Sequence, residues 1–333
     1  MSEVLHVLLT GGVGSRLWPL SRRSRPKQYL DIFSGKSLFE LAVRRNRPFA
    51  AKLLIVGNEA SGALSGDILR KMGISDFQTI LEATPRNTAP AIAFAAFSAK
   101  PETILLVTPS DHLIAEGEEY KKAVESAIQF ASQDHLVTFG ILPTRPETGY
   151  GYIEFSESDV LSFREKPDSE TAEAFIEKGN FLWNSGLFCF KASVFLEELK
   201  KFSPEVFYKS LEAWEKAEAG RLEYSSSMEI PSISIDYAVL ERSALLKVVP
   251  AEFEWSDMGS FEAVYDYLRQ KGHQLDENEN MQIGELKPTF FLGLRNCILI
   301  CTRDANLVLS KEFSQDVRNI YKELEKNNPD LVN

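Results

Sequence analysis

The chain has 333 residues, 44% of them hydrophobic and 26% charged, an ordinary globular composition with ample material for a large core. It carries 48 acidic against 37 basic residues, a formal charge of −11, and no Lys/Arg block that could release counterions from a nucleic-acid backbone. This argues against a nucleic-acid partner and leaves small anionic substrates to be held by a few placed cations. The apolar run at the start, VLHVLL, is too short for a secretory or membrane segment, and no later run approaches about 20 apolar residues. A soluble, cytoplasmic protein with no membrane partner is expected. Cys189, Cys297 and Cys301 form no CxxC pair, so free, buried thiols are expected in place of a disulfide framework or a zinc site.

From residue 4 to about 140, short apolar runs alternate with segments of helical period: VLHVLL, SLFELAVRR, LLIVG, ASGALSGDILRKM, TAPAIAFAAFSA, TILLVT, YKKAVESAIQFA and LVTFGI. Alternation of this kind is the sequence form of βαβ units and, with the extended segments that follow it, predicts an α/β fold with a mixed, mainly parallel sheet flanked by helices. Ser37 and Asn87 precede apolar-periodic stretches and fit N-caps. After residue 145, GYGYIEFSESDVLSFREKP reads as extended, DSETAEAFIEKG as a capped helix and FLWNSGLFCFK as a strand. Residues 203–270 return to helical period. The remainder holds the β-type runs PTFFLGL, CILICT and NLVLS before an amphipathic helix, EFSQDVRNIYKELEK. The expected division is one α/β domain over 1–272, a polar linker HQLDENENMQ at 273–282, and a small β-rich appendage over 283–333 that ends in a helix.

Chemistry concentrates in a few strings. TGGVGSR, from Thr10 to Arg16, follows a buried strand, and its glycines let backbone N–H groups converge on an anion. Leu17 stands where the dinucleotide fingerprint needs a third glycine, and the Gly-Lys-Ser/Thr of a Walker A loop is absent, so neither common nucleotide loop applies. What remains is a glycine turn with Arg16 and, in RPKQYL, Lys27 available for phosphate; a tight turn with solvated charges is the alternative. LLVTPSDH places Asp111 after an apolar strand, where open α/β sheets bind ligands, although a lone Asp there is more often a cap or turn residue, and Asp257 lies in the turn-like EWSDMGS. Two carboxylates completed by water and substrate oxygens suit Mg²⁺. ETGYGY, FREKP and WNSG set Glu147, Glu165, Lys166 and Asn184 among aromatics and glycines, as sugar pockets are commonly built; a β-turn plus strand is the alternative for each.

The strings GGVGSRLWPLS, RPKQYL, RNTAPAIA, VTPSDHLI, FGILPTRPETGYGYI, FREKP, FLWNSGLFCF, SIDYAVLE and WSDMGSF run in order through most of the chain. Together they resemble the sugar-nucleotide pyrophosphorylase family, on its mannose-1-phosphate guanylyltransferase branch. The resemblance implies a Rossmann-like, nucleotide-diphospho-sugar transferase fold, with a nucleotide half over about 1–140 and a sugar half over about 141–272. It implies in-line attack of mannose 1-phosphate on the α-phosphorus of GTP, giving GDP-mannose and diphosphate. By matching positions, Gly11, Gly12, Gly14 and Ser15 would cradle the triphosphate, and Arg16 and Lys27 would neutralise the departing pyrophosphate. Asp111 and Asp257 would hold Mg²⁺ as template and charge clamp. Lys166 would grip the sugar phosphate, while Gly151, Glu165 and Asn184 would meet the mannose hydroxyls. The sugar phosphate is already an ionised oxygen nucleophile, so His112 is expected only beside a metal ligand, and Ser15 and Ser110 only in the nucleotide site.

Guanine shows N1–H and N2–H₂ donors on one edge, and a carboxylate accepts both. This assigns base reading to Glu82, with Asn87 and Thr88 supporting base or ribose; a solvated Glu82 after a strand is the alternative. The chain departs from the family in EATPRN, where Ala83 and Pro85 replace proline and glycine and alter the loop's backbone freedom. It departs again in a shortened tail, ELKPTFFLGLRNCILICT, in the region relatives use for subunit contact, so a homodimer is an expectation left open. The length leaves no room for the phosphomannose isomerase domain of some longer members. Another sugar 1-phosphate or NTP, or a non-catalytic sugar-nucleotide sensor, are the alternative readings.

Overall fold

Short apolar runs become strands and the amphipathic segments become helices, in a computed structural model that describes residues 3–33, 35–285 and 287–333. Met1 and Ser2, ahead of the first apolar run, and Leu286, inside the expected tail string, lie outside the described residues. In chain order the elements are β1 (Val4–Leu9), α1 (Leu38–Asn46), β2 (Lys52–Gly57), α2 (Glu59–Lys71), β3 (Gln78–Leu81), α3 (Thr88–Ser98), β4 (Ile104–Pro109), β5 (Leu113–Ile114), α4 (Glu118–Ser132), β6 (Leu136–Ile141), β7 (Gly151–Ser156), β8 (Asp159–Glu165), α5 (Ser169–Lys178), β9 (Phe181–Lys191), α6 (Ala192–Phe202), α7 (Pro204–Glu215), α8 (Tyr224–Met228), β10 (Leu246–Ala251), β11 (Trp255–Ser256), α9 (Phe261–Gln270), β12 (Met281–Gly284), β13 (Cys297–Cys301), β14 (Asn306–Ser310) and α10 (Val317–Asn327). Two units emerge: one from the start to Gly11, Ala42–Ser110 and Ile114–Trp255, the other from Gly12–Leu41, Asp111–Leu113 and Ser256–Asn333.

The first unit holds a nine-stranded sheet in the order β3-β2-β1-β4-β9-β6-β10-β8-β7. Strands β3, β2, β1 and β4 pair in parallel, as do β6 and β10. Pairing is antiparallel where β9 runs between β4 and β6, and again through β10, β8 and β7. The sheet is mixed, as expected, but parallel pairs do not predominate in it: β9, read as one more strand, turns against both its neighbours, and β7 and β8 form a hairpin at the edge. Both faces are covered, and alternate side chains sort to opposite sides of the pleat. Leu105 and Val107 of β4 join the core with α3 and α6, whereas Ile104 and Leu106 join the core with α4. The helical expectation for 203–270 fails at Leu246–Ala251, a strand, because a short buried apolar run looks alike in either structure by periodicity.

The second unit carries a three-stranded sheet, β12 parallel to β13 and β13 antiparallel to β14, packed with α9 and α10 around Leu17, Trp18, Phe261, Ile298, Ile300 and Tyr321. Ser37 opens α1 with a capping box: its Oγ accepts from the Glu40 N–H while the Glu40 carboxylate accepts from the Ser37 N–H and hydroxyl. PTFFLGL forms no strand; Phe290 and Leu292 are 93% and 95% exposed. The expected linker is also more ordered than a polar run suggests. Asp276 accepts from the backbone N–H groups of Asn278 and Asn280 and from the Asn280 amide, and Met281 is buried in the core. The three cysteines are buried and free. Among the described residues, no helix is long and apolar enough to cross a membrane.

Candidate active site

In the second unit, Gly12, Gly14, Ser15, Arg16, Lys27, Asp111, His112 and Asp257 line one cavity of about 540 Å³. The glycine turn is shaped by Gly14, which has φ 78° and leads into a short 3₁₀ turn at Ser15–Leu17. A Cβ at Gly14 would stand 2.4 Å from Lys27 Cβ, so the glycine admits the lysine stem. The Lys27 N–H donates to the Val13 carbonyl at 3.0 Å, which binds the RPKQYL string to the turn.

Lys27 then links the two aspartates. Its ammonium lies 2.8 Å from Asp111 Oδ2 and donates to the Asp257 main-chain oxygen at 2.7 Å, while the side chain is only 7% exposed. Burial pushes the Asp111 carboxyl upward, but the Lys27 and His112 charges and the Lys27 hydrogen bond outweigh it and hold the group below the usual carboxylate range. Asp111 is thus ionised. Asp257 Oδ1 accepts from the Gly259 N–H, which orients its carboxylate. Arg16 lines the same cavity and has no carboxylate partner among the described residues. His112 Nε2 lies 3.8 Å from Asp111 Oδ1, a neighbour of that carboxylate.

Two carboxylates in one cavity, one of them held in its charged form, fit a small divalent ion that takes its other ligands from water and phosphate. Among the described residues no group of three His, Cys, Asp or Glu side chains could hold a metal ion.

The first unit carries the other predicted residues. The parallel ladder continues one residue beyond its strands: Glu82 N–H donates to Gly57 O, Thr10 N–H to Val56 O and Ser110 N–H to Leu9 O. Glu82, Thr10 with Gly11, and Ser110 therefore follow the carboxyl ends of β3, β1 and β4, where open sheets bind ligands. Glu82 is 8% exposed, and its Oε1 has no hydrogen-bond partner among the described residues. Burial pushes its carboxyl up to about 7, against a smaller opposing effect of the Arg86 backbone N–H. It is not the solvated turn residue of the alternative reading. Ser110 Oγ is likewise buried with no hydrogen-bond partner among the described residues. Asn87 and Thr88, by contrast, already have structural tasks: Asn87 Oδ1 accepts from the Thr88 N–H at the start of α3, and Thr88 Oγ1 accepts from the Ile235 N–H.

Gly151 faces Glu165 across β7 and β8, and a Cβ there would meet Glu165 Oε2 at 2.4 Å. Lys166 pairs with Glu165 Oε1 at 3.0 Å and keeps most of its side chain in solvent. Asn184 sits where the β6–β9 register shifts, and its Oδ1 accepts from Thr138 Oγ1 and the Gly186 N–H. Its Nδ2 donates to Asp236 Oδ1 at 2.9 Å. Burial raises both the Glu165 and Asp236 carboxyls, and the charge of Asp236 raises Glu165 further. Sequence reading missed Asp236 because SIDYAVLE signals only a helical turn, and its partner lies 52 residues away.

A family model for nucleotidyl transferases matches residues 5–273. The chain belongs to the nucleotidyl transferase family. It is similar to the xanthan biosynthesis protein XanB of Xanthomonas campestris pv. campestris, 39% identical over 97% of this chain and 74% of the relative. It is 36% identical to mannose-1-phosphate guanylyltransferase of Salmonella muenchen, over 98% of this chain and 75% of that one. A solved structure described as mannose-1-phosphate geranyltransferase from Thermus thermophilus matches with TM-score 0.82 and 29% identity over 97% of this chain and 99% of that one. As a nucleotidyl transferase this chain is an enzyme of nucleotide transfer, and its α/β sheet with flanking helices is the architecture of such transferases.

Proposed function

We propose that this nucleotidyl transferase joins GTP and mannose 1-phosphate to give GDP-mannose and diphosphate. The observation that carries the transfer chemistry is Lys27, buried between the Asp111 carboxylate and the Asp257 carbonyl beside the glycine turn. The relative named mannose-1-phosphate guanylyltransferase supports the substrate choice. In this reading the backbone at Gly11, Gly12, Gly14 and Ser15 binds triphosphate, while Arg16 and Lys27 stabilise negative charge on the leaving diphosphate. Asp111 and Asp257 would hold Mg²⁺, which supplies charge neutralisation and a template for phosphate oxygens. Glu82 accepts guanine N1–H and N2–H, Ser110 adds a hydroxyl to the nucleotide site, and Asn87 and Thr88 shape the loop beside the base. Lys166 meets the sugar phosphate, and Gly151, Glu165 and Asn184 meet the sugar.

These residues all precede 272, so the triphosphate, metal and sugar contacts named so far are assigned to 1–272. A cytoplasmic location, a role in polysaccharide synthesis and a homodimer complete the proposal; XanB's name supports the second.

The test is diphosphate release by the purified protein with Mg²⁺, crossing GTP, ATP, UTP and dTTP with mannose and glucose 1-phosphates. Release confined to GTP with mannose 1-phosphate is expected. Release with another pair would replace the substrates, and GDP-mannose binding without turnover would replace the enzyme by a sensor.

A further inference from the structure

Helix α10 reaches the cavity of the glycine turn. Arg318 and Lys322, four residues apart and therefore on one helical face, line it together with Arg16, Lys27, Asp111 and Asp257. The string after the turn fastens the helix there. The Trp18 indole N–H donates to the Leu331 carbonyl at 2.8 Å, the Arg23 N–H donates to the Val332 carbonyl at 2.9 Å, and the Arg23 guanidinium pairs with Glu325 at 2.7 Å. Val317 and Tyr321 are buried with Leu17 and Trp18 in one apolar cluster.

Charge is the informative feature. Of the cations lining the cavity, Arg23 and Lys27 have carboxylate partners, whereas Arg16, Arg318 and Lys322 have none among the described residues. The chain has 48 acidic residues against 37 basic ones, so uncompensated cations gathered in one concavity are not a consequence of composition. Like charges repel, and their convergence suits a ligand with several negative charges spread over a few ångströms.

We propose that Arg318 and Lys322 bind the β- and γ-phosphates of the nucleotide and the diphosphate that leaves. The inference rests on the function proposed above. When the sugar-phosphate oxygen bonds to the α-phosphorus, the bond from that phosphorus to the bridging oxygen breaks, and the electron pair stays on the diphosphate. Two more cations beside Arg16 and Lys27 stabilise that charge. Residues 283–333 then contribute to phosphate binding as well as to packing.

Steady-state kinetics in both directions test this. Arg318→Ala and Lys322→Ala should each raise the KM for GTP, and for diphosphate in the reverse reaction, by about fivefold, and together by about 25-fold, the scale of losing exposed charge-assisted hydrogen bonds. The KM for mannose 1-phosphate should stay within about twofold. Lys326→Ala, which removes a charge from the same helix outside the cavity lining, should change none of these values. Calorimetric titration with inorganic diphosphate gives a readout independent of turnover, and the double variant should lose most of the binding. Unchanged diphosphate affinity in a folded double variant overturns the inference, as does an equal loss in Lys326→Ala. If the unmodified protein turns over no nucleotide, the proposed function fails, while the diphosphate titration still decides the role of Arg318 and Lys322.

Discussion

Replacing Gly14 by alanine tests the geometry of the cavity most directly. At φ 78° an alanine costs about 1–2 kcal/mol in backbone strain. The added methyl would also lie 2.4 Å from Lys27 Cβ, where carbon atoms settle at about 3.5–4.0 Å, so the lysine stem must retreat by more than about 1 Å. Its ammonium cannot follow that retreat and keep both the 2.8 Å contact to Asp111 and the 2.7 Å bond to the Asp257 carbonyl. Displacement of about 1 Å at a reacting centre costs roughly 10²-fold in rate, or about 2.7 kcal/mol of barrier. Gly12 supplies the control, because it has φ 83° but nothing within 4 Å of its added Cβ, so Gly12→Ala shares the strain without the collision. Diphosphate release should therefore fall about 10²-fold in Gly14→Ala and distinctly less in Gly12→Ala, with the larger loss in Tm also in Gly14→Ala. If the two variants, both folded, turn over equally well, the position of Lys27 is not what Gly14 protects.

Asp111→Ala and Asp257→Ala should each lower turnover by roughly 10²-fold or more, and near-normal diphosphate release in a folded variant would remove that residue from the reaction. Glu82 binds its proton more tightly when folded, at about 7 against an ordinary 4.5, so stability is lost as pH rises between those values and the penalty above pH 7 is roughly 3 kcal/mol. Glu82→Gln should accordingly raise Tm at pH 8 and not at pH 4 while eroding the preference for GTP over dTTP; equal Tm shifts at both pH values would contradict the burial argument. Asp236→Ala should release the Asn184 amide and raise the KM for mannose 1-phosphate about tenfold. Asp236→Asn, which keeps an acceptor oxygen, should recover most of that loss, and an equally impaired Asn variant would show that orientation is not the role of Asp236.

The strands β1, β2, β4 and β6 were legible because each is a short apolar run between turn residues, and the helix at Ser37 because a capping box is a local device. Legibility fell wherever the meaning of a residue depends on a distant one. β10 lies inside a stretch of helical period and becomes a strand by pairing with β6 and β8. PTFFLGL has strand-forming composition but no partner strand among the described residues, and it remains exposed. The glycine turn and its cations were readable as phosphate chemistry, and the Asp111 and Asp257 strings as candidate ligands. Their link through the Lys27 ammonium spans 230 residues and left no local trace. Arg318 and Lys322 resemble the solvated face of any amphipathic helix until the chain brings α10 to the turn.

The fastening of Trp18 to Leu331 also has a consequence for biosynthesis. These partners are 313 residues apart, so the segment around the glycine turn is synthesised long before the residues of α10 and Leu331 that complete its packing. Strands β1 to β4 can associate meanwhile, since they need nothing beyond residue 109 for their mutual pairing. A nascent chain that has not yet reached α10 would hold an assembled parallel ladder while Leu17 and Trp18 still lack Val317 and Tyr321. Such an intermediate is a natural client for chaperones, and the cations of α10 join the cavity only after its lining up to Gly259 has been made.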